Sequence, residues 1–130
     1  SALGISQLKK VKALNKKRLK IYQYYNEKLK NMSGLILPNK NYLNNSCHLY
    51  VVRISSDAKI SRDKLFNYLQ KNGIETRPVM TGNFVKQPVI KLISHKVSGS
   101  LKNSTDLMKN AFLIGNNQNI DKFMRKYVKK

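Results

Sequence analysis

The chain has 130 residues, and 26 lysines and arginines against six aspartates and glutamates give it a net charge of +20. That length supports one domain able to bury about two-thirds of its unfolded surface in an ordinary hydrophobic core. A single cysteine, Cys47, excludes an internal disulfide and a Cys-based zinc site; with no signal-peptide pattern and no bilayer-length apolar run, the composition fits a cytoplasmic chain with no membrane partner.

Residues 4 to 31 contain no proline, and Leu8, Val11, Tyr22, Tyr25 and Leu29 share one face, which predicts a single long helix over 1–32. Polar Asn15 and Arg18 interrupt that stripe, and Lys9, Lys10, Lys12, Lys16, Lys17 and Lys20 fill the other faces. A stripe so broken packs against something the chain does not fully supply. Since the first residue is not Met and the opening already reads as helix, we expect a fragment or a processed or tag-cleaved product. Ser33-Gly34 ends the helix, Leu35 to Pro38 is a short extended piece, and 39–46 is an Asn-rich loop.

His48 to Ile54 carries β-branched and aromatic residues on both faces and reads as a central strand. Ser61 caps a helix whose buried stripe is Leu65, Phe66 and Leu69 and which closes at Asn72-Gly73. Ile74 to Val79 is a second strand, with Ile74 and Thr76 on one face and Glu75, Arg77 and Val79 on the other. Pro78 cannot donate a ladder hydrogen bond, so this strand belongs at an edge or an end. Gly82-Asn83 then turns the chain, and Gln87-Pro88 stops any helix begun after Phe84.

Val89, Ile90, Leu92 and Ile93 mark one or two helical turns. Asn103 or Ser104 caps a short helix through Asn110, with Asp106 favourably near its N-terminal dipole. Ala111 to Ile114 is a buried strand ended by Gly115, and Ile120, Phe123, Met124, Tyr127 and Val128 recur at helical spacing in a final helix. The expected fold is α+β: a small, mainly antiparallel sheet of about three strands covered by helices. Helix 1–32 precedes a body at 33–130, with no internal boundary.

Chemistry is sparse. His48 and His95 have no Cys, Asp or Glu nearby at metal-ligand spacing, and the carboxylates form no close pair for acid–base work. His48 reads as a structural histidine in its strand, and Cys47 as a small strand residue. The segment from Thr76 to Pro88 is the exception. A basic side chain at a strand end, followed by a permissive turn carrying an amide, is a way to hold an anion, and Arg77 is the candidate. The plain alternative is a polar connection between two core elements.

Gly73-Ile74-Glu75-Thr76-Arg77-Pro78, Gly82-Asn83-Phe84, Gln87-Pro88, Gly99-Ser100-Leu101-Lys102-Asn103 and Gly115-Asn116 occur here in an order that resembles the C-terminal domain of the DegT/DnrJ/StrS-type sugar aminotransferases, and within them the nucleotide-linked 4-keto-6-deoxyhexose 3-dehydratases. Ser1 to Leu8 resembles the start of that family's inter-domain helix, and His48-Leu49-Tyr50 its small-domain strand. Asn116-Asn117-Gln118-Asn119 replaces a more hydrophobic or proline-containing segment of many relatives.

The resemblance implies a large domain, not contained in this chain, that binds pyridoxal or pyridoxamine phosphate and carries the catalytic Lys or His. It further implies a homodimer, glutamate as amino donor and a 4-keto sugar nucleotide as substrate, which loses its 3-hydroxyl while ammonia is released. Its setting is deoxysugar synthesis for lipopolysaccharide O-antigen. No catalytic residue and no bound cofactor are expected in this chain alone. Arg77 would contact an anion in the cleft, Asn83 would shape the turn, and Gln87 and His48 would line the cleft. A sugar aminotransferase of the same family remains open as an alternative.

A freestanding basic module for nucleic acid or another polyanion is the alternative from a different class. The ordered motifs from Gly73 to Asn116 do not fit it. Lysines outnumber arginines, and Lys, Asn and Ile rise together as an AT-rich coding sequence would produce. The charge therefore predicts only weak, sequence-indifferent binding to DNA or RNA that nearly vanishes at physiological salt. A fluorescence titration across salt checks this; tight, sequence-selective binding at physiological salt would contradict it.

Overall fold

The computed structural model describes residues 2–38 and 46–117. The expected final helix, most of the Asn-rich loop and Gln118-Asn119 lie outside the described residues. In chain order the elements are α1 (Ala2–Leu8), α2 (Val11–Leu29), β1 (Leu35–Ile36), β2 (Leu49–Ile54), α3 (Arg62–Lys71), β3 (Thr76–Pro78), two 3₁₀ turns (Phe84–Lys86 and Pro88–Leu92), α4 (Lys102–Asn110) and β4 (Ala111–Gly115). The chain forms two compact units: one within Ser1–Met32, Leu37–Tyr50 and Gly115–Lys130, the other within Ser33–Ile36 and Val51–Ile114. The strands make one four-stranded sheet in the order β1-β2-β4-β3. The α+β class holds, and the fourth strand is the short extended piece at Leu35.

In the first unit, the expected single helix is two. Lys10 donates its N–H to Gln7 O at 2.9 Å, an i−3 bond that ends α1, and Lys10 O then accepts from Leu14 N–H at 3.0 Å to start α2. A helix this short depends on packing, and α1 has none: Leu3, Ile5 and Leu8 are 82%, 59% and 70% exposed. The clustered lysines add like-charge repulsion at the break. The buried face of α2 is Ile21 and Tyr22, not Leu8 and Val11.

An aromatic cluster forms this unit's core. The Tyr50 ring lies 4.8 Å from Tyr22 and 4.9 Å from Tyr25, and its hydroxyl donates to Asn26 Oδ1 at 2.9 Å. Tyr25 donates to Gly115 O at 3.4 Å, and burial holds its phenol above the ordinary tyrosine pKa. Asn116, almost fully buried, donates through Nδ2 to the carbonyls of Arg18 and Cys47. That gives the Asn-rich segment a structural duty at its first residue.

In the second unit, β1 runs antiparallel to β2, with Leu35 opposite Ile54, and β3 runs antiparallel to β4, with Thr76, Arg77 and Pro78 opposite Ile114, Leu113 and Phe112. Pro78 therefore sits on an edge strand, as its missing N–H requires. β2 is central, yet its residues alternate in burial; β4 is the strand covered on both faces, with Ala111 to Ile114 all buried. Phe112 is fully buried and meets Phe66 of α3 edge-on, with ring centres 5.9 Å apart.

Ser61 caps α3 as expected, its Oγ accepting from Lys64 N–H at 3.4 Å, and Gly73 leaves the helix at φ +79°. The expected caps of α4 are absent. Leu101 holds that position, and Ser104 Oγ donates back to Leu101 O at 3.0 Å because Ser104 already lies inside the helix. Asp106 also lies past the first turn, and pairs with Arg53 at 2.6 Å instead of serving the dipole. The other end of α4 is closed from α3: Arg62 donates to Lys109 O at 3.2 Å and Met108 O at 3.4 Å.

Phe112→Ala should lower stability by about 3–5 kcal/mol, because it empties the best-buried position of this unit. Urea unfolding followed by circular dichroism measures the loss; a change below about 1 kcal/mol would show that this core does not govern folding.

Candidate functional site

The site is the excursion that leaves β3 and returns through the two 3₁₀ turns. Burial alternates along its entry: Glu75 is exposed, Thr76 is 3% exposed, and Arg77 is exposed again. Thr76 is locked from both sides. Its carbonyl accepts from Gln70 Nε2 at 3.0 Å, and its hydroxyl donates to Phe66 O at 3.5 Å. A buried, doubly bonded threonine fixes the strand face, so Arg77 is committed to solvent.

Among the described residues Arg77 has one partner. Its Nε and Nη2 donate to the same oxygen, Glu75 Oε1, at 2.8 and 2.7 Å, with both side chains about 70% exposed. Two exposed charges on neighbouring same-face positions contribute only about 0.2–1 kcal/mol. The pair therefore adds little to stability and leaves the far side of the guanidinium open.

Beyond Pro78 the backbone is constrained. Met80 takes φ +30°, a region bulky side chains avoid, and donates its N–H to Pro78 O at 2.8 Å. Its side chain is 87% exposed and gains no packing in return, so the conformation is imposed by the turn. Gly82 has φ +58°, and a Cβ there would stand 2.5 Å from Met108 Cβ. Only glycine lets the loop pass so close to α4.

Asn83 is the loop's internal anchor, 3% exposed, with Nδ2 donating to Thr105 Oγ1 at 2.9 Å and Oδ1 accepting from Val85 N–H at 3.1 Å. These two bonds hold the turn against α4. Gln87 donates to Thr81 O at 2.8 Å and ties the loop's ends together. Pro88 then opens the second 3₁₀ turn. Asn83 and Gln87 thus bond within the excursion and to α4, while Arg77 precedes it on β3 and faces solvent.

His48 belongs to the first unit. It is exposed and precedes β2, which corrects the expectation of a structural histidine within a strand. Cys47 before it is buried with φ +46°, and burial raises its thiol pKa, which disfavours a nucleophilic thiolate. Among the described residues no group of His, Cys, Asp and Glu could hold a metal ion, and no helix is long and apolar enough to cross a membrane.

Sequence reasoning missed Glu75 as Arg77's partner, and Thr105 and Met108 as the loop's supports. The two-residue spacing of Glu75 and Arg77 was a readable signal; the contacts of Asn83 and Gly82 with α4 had no local one.

The family model for the DegT/DnrJ/EryC1/StrS aminotransferase family matches residues 1–128. The chain is 33% identical over 118 residues to GDP-4-keto-6-deoxy-D-mannose 3-dehydratase of Escherichia coli O55:H7, covering 90% of this chain and 30% of that protein. It is 30% identical over 116 residues to dTDP-4-dehydro-2,6-dideoxy-D-glucose 3-dehydratase of Saccharopolyspora spinosa, covering 88% of this chain and 25% of that one. The crystal structure of a GDP-4-keto-6-deoxymannose-3-dehydratase with a trapped PLP-glutamate geminal diamine superposes with a TM-score of 0.84 at 32% identity, over 99% of this chain and 34% of that one. The chain thus spans between a quarter and about a third of the length of these relatives.

Asn83→Ala should cost about 1–3 kcal/mol, since it strands the Val85 N–H and the Thr105 hydroxyl, whereas Arg77→Ala should leave the melting temperature nearly unchanged. Thermal melts of both variants check this; the reverse ranking would make Arg77 the structural residue.

Proposed function

We propose that this chain, which belongs to the DegT/DnrJ/EryC1/StrS aminotransferase family, is the C-terminal small domain of a sugar-nucleotide enzyme, a 4-keto-6-deoxyhexose 3-dehydratase. The observation that carries the reading is the match to a 3-dehydratase structure along 99% of this chain and only 34% of that one. The poverty of chemistry fits. Every described lysine is exposed, so none has the desolvated setting that activates an amine for a carbonyl cofactor. The reading therefore places cofactor, catalytic Lys or His, and most phosphate contacts on a large domain.

In this reading the small domain serves the substrate side of the cleft. Arg77 stands outward on the edge strand and holds an anionic group by charge-assisted hydrogen bonds. Buried Thr76 and the pairing of β3 with β4 fix the strand face, so that Arg77 is delivered at low conformational cost, while Gly82, Asn83 and Gln87 shape the loop beside it. His48 lines the cleft. The exposed apolar side chains Met80 and Leu92, and Leu3 and Leu8 on α1, are surface for the large domain to cover. The whole enzyme works as a cytoplasmic homodimer, takes its amino group from glutamate, and supplies deoxysugars for lipopolysaccharide. A sugar aminotransferase is the second reading, because the Lys or His that separates the two lies outside this chain.

In the full-length enzyme, Arg77→Ala should reduce kcat/KM about ten- to a hundredfold, the loss of one charge-assisted contact of about 1.5–3 kcal/mol, with the melting temperature unchanged. Steady-state kinetics beside a thermal melt check it, and full activity in the variant would remove Arg77 from the site. The isolated chain, treated with pyridoxal phosphate and borohydride, should show only scattered surface labelling; stoichiometric labelling of one lysine on peptide mapping would place the cofactor site in this domain.

A further inference from the structure

We infer that Glu75 sets the charge threshold of Arg77: it occupies the guanidinium until a phosphoryl group of higher charge displaces it, and it puts monocarboxylates at a disadvantage. The inference rests on the reading of Arg77 as the anion contact and names what that anion is.

The geometry is an internal rehearsal of ligand binding. Glu75 Oε1 accepts from both Nε and Nη2 of Arg77 at 2.8 and 2.7 Å, the side-on approach that a ligand oxygen would take. The carboxylate is held there by sequence, two residues away on the exposed side of an edge strand whose face buried Thr76 fixes. Both side chains are about 70% exposed, so water screens the pair and its release exposes nothing that was buried. The lock is therefore weak, but it is always present at high local concentration.

A competing carboxylate offers Arg77 the same charge and geometry as Glu75 and must be ordered from solution to do so. It gains nothing by exchange. A phosphoryl group carrying more than one negative charge presents several oxygens and a stronger field, and can use the open edge of the guanidinium as well. Glu75 thus discriminates between the two kinds of anion a sugar-nucleotide enzyme with an amino-acid donor meets: it favours a phosphate over the donor's carboxylate. The phosphoryl group can come from the nucleotide's diphosphate or from a phosphate monoester such as the cofactor's.

The Arg77 Nε–H resonance of the ¹⁵N-labelled 130-residue chain reads this directly. In the unsubstituted chain, inorganic pyrophosphate should shift that signal and acetate should not; phenyl phosphate, as the monoester arm, tells which phosphoryl source suffices. In Glu75→Gln, the free-state signal should move toward that of a solvated arginine. Pyrophosphate should then bind roughly two- to fivefold tighter, and acetate should begin to shift the signal. Equal pyrophosphate affinity in both chains, with acetate silent in both, would overturn the threshold while leaving Arg77 as an anion contact. A signal that no anion moves in either chain would overturn both. Glu75 is exposed, so its substitution leaves the fold intact, and Glu75→Ala repeats the test without the amide.

Discussion

Pro78 has no N–H to give a sheet, and that missing donor decides where β3 can stand. A strand containing it is admitted only at the edge, and β3 is the edge strand, opposite β4 with Pro78 facing Phe112. The inner position goes to β4, whose residues from Ala111 to Ile114 are buried. Among the described residues, edge placement leaves one side of β3 without a neighbouring strand. Thr76, bonded to Gln70 and Phe66, then fixes which face turns inward. Arg77 is outward because the residues on both sides of it leave no other choice.

The same economy holds in the loop that follows. Met80 is bent into an unfavourable backbone region, and the bend is kept by bonds further on: Gln87 to Thr81 closes the loop, and Asn83 to Thr105 fastens it to α4. α4 is itself fastened by Arg62 at one end and by the Arg53–Asp106 pair along its side. Local strain is thus supported by contacts from α4 and α3. This is how a short strained segment keeps one shape without a large core beneath it.

How much of this was legible depended on range. Ser61, Gly73 and Pro78 act on their immediate neighbours, so the α3 caps and the edge strand could be read from the residues alone. The break at Lys9-Lys10 could not, because periodicity continues across it and only the absence of packing on α1 decides the outcome. The α4 caps failed because Asn103 and Ser104 lie two and three residues inside, with Leu101 at the boundary. Arg62 closing α4 and Asn83 reaching Thr105 join residues far apart in the sequence, and no local pattern announces such pairs. Residue types alone marked Arg77, Asn83 and Gln87 as candidates. The inward turn of Asn83 and Gln87, and Glu75 on Arg77, needed coordinates.

In the proposed reading, two physical facts divide labour between this chain and a large domain. Arg77 faces outward on the edge strand, and every described lysine is exposed. The first suits holding a substrate's charge; the second leaves the reacting amine to be supplied elsewhere. The measurement that tests this account most directly is the product made by the full-length protein from a nucleotide-linked 4-keto-6-deoxyhexose with glutamate and pyridoxal phosphate, followed by mass spectrometry and an ammonia assay. The account predicts a sugar that has lost its 3-hydroxyl, with ammonia released. An amino sugar that keeps the 3-hydroxyl, without ammonia, would contradict it.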